Sequence, residues 1–277
     1  MRAKRKTVFF CSVSSDIGFA LAQRYSADGF VIAGTYRSRQ YLAELKALPK
    51  GRFAYCDLRS QRSMARAVKT LSAPPLHWDT YISCPSVPYP MSGFFKSDFD
   101  RWTESVHLNA IEQLRMLHAM YPYRRRGRKA NVVFFAGPAS NGAVKNFSAL
   151  AVSKIMLIKM CELLDAETPD LNVFIVGPGW TRTKAHDLIL ADPDISREKY
   201  RETTRFLKNK QGTSMDDIYA SIRWLSRKGR RIAGGRNFSV VHDRWGHESL
   251  ASALDRDQNM YKLRRFGNEW RDKEGAL

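Results

Sequence analysis

Cysteine is scarce in this chain. Only Cys11, Cys56, Cys84 and Cys161 occur, and no two of them form a CxxC pair. Their scatter speaks against a disulfide framework or a cysteine-ligated zinc, and fits reduced thiols in a cytoplasmic protein. Six histidines are present without an HExxH, and no Cys/His cluster has ligand spacing, so no metal is expected. Long apolar runs are also missing. None approaches the roughly 18 residues that a membrane span requires. The charged stretch Arg2–Lys6 precedes only the short run Thr7–Val13, which leads into Ser14-Ser15-Asp16 with no small-residue cleavage pattern. It reads as a first strand rather than a leader. Acidic residues are few, 27 against 46 lysines and arginines, for a net charge of +19.

The basic surplus gathers at Arg2–Lys6, Arg124–Lys129, Arg227–Arg231 and Arg264-Arg265. Such clusters serve either an anionic macromolecule or plain solubility with attraction for an anionic cofactor or substrate. The second reading is preferred, and nucleic acid is not the expected partner. A hydrophobic fraction of 44% with 12% aromatics is that of a globular chain.

Apolar runs of strand length alternate with amphipathic helical segments. Strands are expected at Thr7–Val13, Phe30–Thr35, Arg52–Cys56, Trp78–Ser83, Asn131–Phe135, Asn172–Val176 and Asn237–Val241. Helices are expected at Ile17–Ala27, Tyr41–Leu48, Met64–Leu71, Phe99–Met120, Ser148–Asp165 and Met215–Ser226. This alternation predicts one α/β domain over residues 1–277, doubly wound, with a mostly parallel sheet and helices on both faces. Residues 184–213 fall outside the alternation and read as a lid-like insertion, and residues 246–277 as a C-terminal tail containing Trp270.

The order of elements and several motifs resemble the short-chain dehydrogenase/reductase family over roughly Thr7 to Val241. The first turn, Cys11-Ser12-Val13-Ser14-Ser15-Asp16-Ile17-Gly18, stands where the family has TGxxxGIG and keeps only the last glycine. A carboxylate at Asp16 is unfavourable beside a pyrophosphate unless it points away or caps the helix. After the second strand, Arg37 and Arg39 flank the site where an NAD-specific enzyme would carry an acid, which implies NADP. Asp57 and Leu58 fall at the adenine contact. Ser83-Cys84-Pro85-Ser86 replaces the family's NNAG. Gly177-Pro178-Gly179-Trp180-Thr181-Arg182-Thr183 matches the PGxxxT loop that holds the nicotinamide amide. The resemblance therefore implies a cofactor set of Ser12, Ser14, Ser15, Ile17, Gly18, Arg37, Arg39, Asp57, Leu58, Ser83, Lys154, Pro178, Gly179, Thr181 and Thr183.

The catalytic core departs from the family. Asn109 and Lys154 stand where the family has its asparagine and lysine. Leu150 occupies the tyrosine position of YxxxK, Gly137 the serine position, and Phe147 the earlier tyrosine of enoyl reductases. The tyrosine would protonate the carbonyl oxygen as hydride arrives, help worth about 10²–10⁴ in rate. The serine would orient and stabilise the developing oxyanion.

Three readings stay open. One is an NADP-dependent oxidoreductase acting on a small carbonyl or alcohol, with Lys154 or Ser140 as a non-standard acid. A weak likeness of the tail and of Asn141-Gly142 to surface-sugar reductases belongs to this reading. Another is an inactive dinucleotide sensor or partner subunit. A third is a binding protein for an anionic partner. The resemblance also implies a homodimer or tetramer formed through the helices of Asn109 and Lys154, which carry Leu114, Leu117, Ile155, Leu157, Ile158 and Leu163.

Overall fold

The first strand, β1 (Thr7–Cys11), is buried along its whole length, as a strand covered on both faces must be. The computed structural model describes residues 5–74, 76–137, 142–192, 195–209 and 212–265. From β1 the chain runs through α1 (Asp16–Ala27), β2 (Val31–Tyr36), α2 (Leu42–Ala47), β3 (Arg52–Tyr55), α3 (Gln61–Ser72) and β4 (Thr80–Ser83). It continues through α4 (Phe99–Val106), α5 (Glu112–Met120), β5 (Ala130–Phe135), α6 (Ser148–Glu167) and β6 (Leu171–Gly177). Next come α7 (Ala185–Ala191), α8 (Arg197–Lys208), α9 (Met215–Lys228), α10 (Arg230–Ala233), β7 (Asn237–Ser239) and α11 (Glu248–Arg256).

The strands form one seven-stranded sheet in the order β3-β2-β1-β4-β5-β6-β7, and every pairing is parallel. Alternate side chains feed two apolar layers. Phe9, Tyr81 and Phe134 face Leu157 and Cys161 of α6. Phe10, Ile82 and Phe174 face Leu21 and Tyr25 of α1 and Ile222 of α9. The strand order reverses between β1 and β4, and a crevice opens there at the C-terminal strand ends.

Three elements differ from the sequence expectation. The helix expected over Phe99–Met120 is divided by a π-turn at His107–Ile111. The predicted insertion at 184–213 contains two helices, α7 and α8. The predicted tail begins as structure, since Leu250, Ala251 and Leu254 of α11 are buried against the second apolar layer. Trp270 lies outside the described residues. No described helix is long and apolar enough to cross a membrane, and no described group of acidic, histidine or cysteine side chains could hold a metal.

The C-terminal part is held by an arginine that the motifs did not single out. Arg236 is fully buried. Its guanidinium donates to the carbonyl oxygens of Arg231, Ile232, Leu254, Asp257 and Met260. Several are orphan carbonyls near the ends of α10 and α11, which favour a cation.

Candidate active site

The turn after β1 brings the N-terminus of α1 to the crevice. Ser12, where the resemblance expects glycine, adopts a left-handed φ of 62°. That conformation costs a residue with a β-carbon roughly 1–2 kcal/mol. The Ser12 N–H is held by Thr35 Oγ1 at 3.0 Å. The glycine that remains is required by space: a β-carbon at Gly18 would lie 2.7 Å from the Ser12 carbonyl oxygen. The cap of α1 is Ser15, whose hydroxyl accepts from Gly18 N–H at 3.0 Å. Asp16 therefore is not the cap. Its carboxylate turns aside, accepting from Tyr41 Oη at 2.8 Å and from Lys184 N–H at 2.6 Å. Lys184, just before α7, and Tyr41, at the start of α2, are thus tied to the first turn of α1.

A cavity of about 860 Å³ opens beyond β5 and β6. Of the residues assigned to a cofactor by resemblance, Ile17, Lys154, Pro178, Gly179, Thr181 and Thr183 line it. Gly179 is fixed there by its φ of +71° and by Val241, whose Cγ2 would stand 2.5 Å from an added β-carbon. Ser12, Ser14, Ser15, Gly18, Arg37, Arg39, Asp57, Leu58 and Ser83 lie outside its lining. Arg37 and Arg39 are exposed beyond β2. Asp57 accepts from the Arg59 N–H at 3.0 Å, and Leu58 is buried. The Ser83 hydroxyl donates to Gln113 Oε1 at 2.7 Å, so it faces α5 rather than the crevice.

Lys154 is 3% exposed and projects from α6 into the cavity wall. Its Nζ has no hydrogen bond or ion pair among the described residues. Burial draws its ammonium down to about 8, because charge is penalised away from water. The two positions where the family carries its hydroxyls are Gly137 and Leu150 here. Leu150 forms a small apolar cluster with Met91 and Phe147, against which Ile189 of α7 packs. Where the family keeps its tyrosine, this chain makes an apolar contact with α7. Ser148 accepts from Trp102 Nε1 at 3.0 Å, and Ser153 donates to the Leu150 carbonyl at 2.8 Å. Ser140 lies outside the described residues.

Asn109 sits at the π-turn, fully buried, with its side chain taken up by backbone. It accepts from Val87 N–H and donates to Val87 O, both at 2.9 Å, and also donates to Ser105 Oγ. It clamps the connection between β4 and α4, and it is absent from the cavity lining.

Other cavity residues carried no sequence signal. Trp180 and His186 pack with Phe206 of α8, and Lys199 lies 4.4 Å over the Trp180 ring. His242, Asp243, Tyr261 and Lys262 also line the cavity. These positions are scattered over the chain, and no spacing rule links them.

Several arginines of the basic clusters are ion-paired within the chain. Arg125 and Arg128 both bind Asp79, and Arg124 binds Asp170. Arg230 pairs with Asp165, and Arg231 with Asp255.

The residues fit a nicotinamide dinucleotide. A capped helix N-terminus is free of the Asp16 carboxylate, the Ser12 backbone adopts the glycine-like conformation, and a cavity-facing ammonium has no hydrogen-bond or ion-pair partner among the described residues. The family model described as enoyl-(acyl carrier protein) reductase matches residues 13–240. A putative dehydrogenase/reductase SDR family member 4-like 1 from Homo sapiens is 25% identical over 211 residues, 72% of this chain and 74% of that protein. Dehydrogenase/reductase SDR family member 4 from Pongo abelii is 23% identical over 209 residues, with the same two coverages. A short-chain dehydrogenase/reductase from Saccharomyces cerevisiae superposes with a TM-score of 0.77 at 19% identity, over 89% of this chain and 98% of that one. An aldohexose dehydrogenase from Thermoplasma acidophilum gives 0.70 at 15% identity, over 86% and 92%. With the parallel sheet, the crevice at its reversal and the family match over most of its length, the chain belongs to the short-chain dehydrogenase/reductase family.

Proposed function

We propose that this protein binds a nicotinamide dinucleotide, NADP(H) in preference to NAD(H), and that it lacks the proton donor with which its family reduces simple carbonyls. The observation that carries this reading is the wall beside Lys154, where Leu150 and Gly137 leave an apolar surface. The α1 N-terminus with Ser12 and Ser14 would hold the pyrophosphate. Arg37 and Arg39 would meet a 2′-phosphate, and Asp57 with Leu58 the adenine. Thr181, Thr183 and Lys154 would hold the nicotinamide end. Bound there, the group supplies hydride to a carbonyl carbon. The chain's own side chains then decide whether the oxygen receives a proton, and Leu150 has none to give.

Calorimetry with NADPH, combined with a turnover assay on small aldehydes and ketones, tests both halves. Binding with negligible oxidation of NADPH is expected. Robust carbonyl reduction would overturn the reading and point to another acid. Engagement of Arg124 by Asp170, and of Arg125 and Arg128 by Asp79, weighs against a nucleic-acid role.

Self-association is part of the same reading. Of the apolar residues expected at a dimer interface, Leu117, Leu157 and Ile158 are buried within the chain. The exposed stripe on α6 is instead Val152, Met156 and Leu163, spaced to share one helix face. A second copy docking on this stripe is the assembly proposed, and light scattering would read it as a dimer or a larger species.

A further inference from the structure

The cavity holds an amine that the lost reduction chemistry relieves of its part in proton transfer. Lys154 is 97% removed from solvent, since only 3% of it is exposed. Its Nζ has no described hydrogen-bond or ion-pair partner. The lining it shares includes Phe135, Leu150 and Ile158. A tyrosine at position 150 would have given this ammonium a polar neighbour one helical turn away, and leucine does not. An amine in such surroundings is easily freed of its proton and becomes a nucleophile toward carbonyl carbon. Elsewhere among the described lining residues, the ammonium groups of Lys199 and Lys262 stand against the one carboxylate of Asp243.

We propose that the Lys154 amine captures small anionic carbonyl compounds, oxoacids and aldehyde acids, as an imine inside this cavity. The nitrogen lone pair forms a bond to the carbonyl carbon while the π pair moves to oxygen. The resulting carbinolamine loses that oxygen as water, which carries away both amine protons, and the C=N bond remains. Nothing is oxidised or reduced, and hydrolysis reverses the step. The carboxylate of the captured compound is met by Lys199 or Lys262, the other ammonium groups of the lining. A Lys154 held near 8 has, at neutral pH, roughly a hundredfold larger unprotonated fraction than an ordinary lysine. The proposal rests on this cavity being the ligand site and not on the affinity for a dinucleotide, which calorimetry tests separately.

The experiment is reductive trapping. The full-length protein is incubated with glyoxylate and cyanoborohydride, and the carboxymethyl adduct on each lysine is followed by peptide mass spectrometry. Lys154 is expected to be modified at least about tenfold faster than the exposed lysines, in line with its larger unprotonated fraction. That advantage should disappear in denatured protein. It should also shrink with glycolaldehyde, which lacks the carboxylate. A Lys154 modified no faster than exposed lysines in the folded protein would overturn the proposal. Equal selectivity for glycolaldehyde would overturn its anionic part.

Discussion

A β-carbon placed at Gly137 would lie 3.0 Å from Cγ of Lys154. The stem of the lysine lies across the space that a serine at this position would need. A serine at this position would therefore require the Lys154 stem to give way by a few tenths of an ångström.

From this contact, Gly137→Ser should destabilise the protein by about 1 kcal/mol through overpacking. The cost should fall when Lys154 is also changed to alanine, because the colliding stem is gone. A double-mutant cycle by urea unfolding measures the coupling. Independent, additive effects would show that the stem moves aside freely. For the same reason, restoring reduction by Gly137→Ser with Leu150→Tyr requires Lys154 to shift as well as the two new hydroxyls to appear.

Arg37 and Arg39 are exposed at the end of β2, where a 2′-phosphate would find positive charge. NADPH should bind at least about tenfold more tightly than NADH, the effect of roughly 1.4 kcal/mol. Arg37→Asp should abolish or reverse the difference. Titration calorimetry of parent and variant with both dinucleotides checks this, and equal affinities in the parent would remove the basis for the preference.

The buried ammonium of Lys154 predicts a pH-dependent stability difference. Its folded value of about 8 lies below the unfolded value of 10.5. Between those two values the unfolded chain binds more protons, so stability gains as pH rises through this window. Below pH 8 the charged lysine costs the folded state up to about 3 kcal/mol. Lys154→Met should therefore be more stable than the parent at pH 7. Its advantage should shrink from pH 8 to 10.5, as read by urea unfolding of both proteins at each pH. An advantage constant across that range would mean that Lys154 is not protonated at a cost.

Arg236 donates to five backbone carbonyls near the ends of α10 and α11. Arg236→Leu leaves those acceptors buried without a donor. A loss of about 3 kcal/mol or more is expected, with faster hydrogen exchange concentrated in α10, β7 and α11. Arg236→Lys should recover only part of the loss, because an ammonium cannot reach five carbonyls spread around a planar guanidinium. A neutral Arg236→Leu would show that water replaces the guanidinium.

The alternation of apolar strands with amphipathic helices determined the parallel sheet before any coordinates, because period and burial are local properties of the chain. Runs such as the TVFFC of β1 could sit nowhere but between two helical layers. Motif position also placed Lys154, Gly179, Thr181 and Thr183 near one another, since each follows a strand end in a doubly wound sheet. What depends on contacts between distant segments was decided only by the tertiary structure. Asp16 was ambiguous in sequence, and only the approach of Tyr41 and Lys184 turned its carboxylate aside. Asn109 matched a catalytic position, yet its amide is bound to Val87 because the π-turn directs it there. Arg236 belonged to no motif, and became the internal anchor of the C-terminal helices once α10 and α11 aimed their carbonyls at it. His186, Lys199, Asp243 and Tyr261 share a cavity although no spacing connects them, because a site built by folding leaves no periodic trace along the chain.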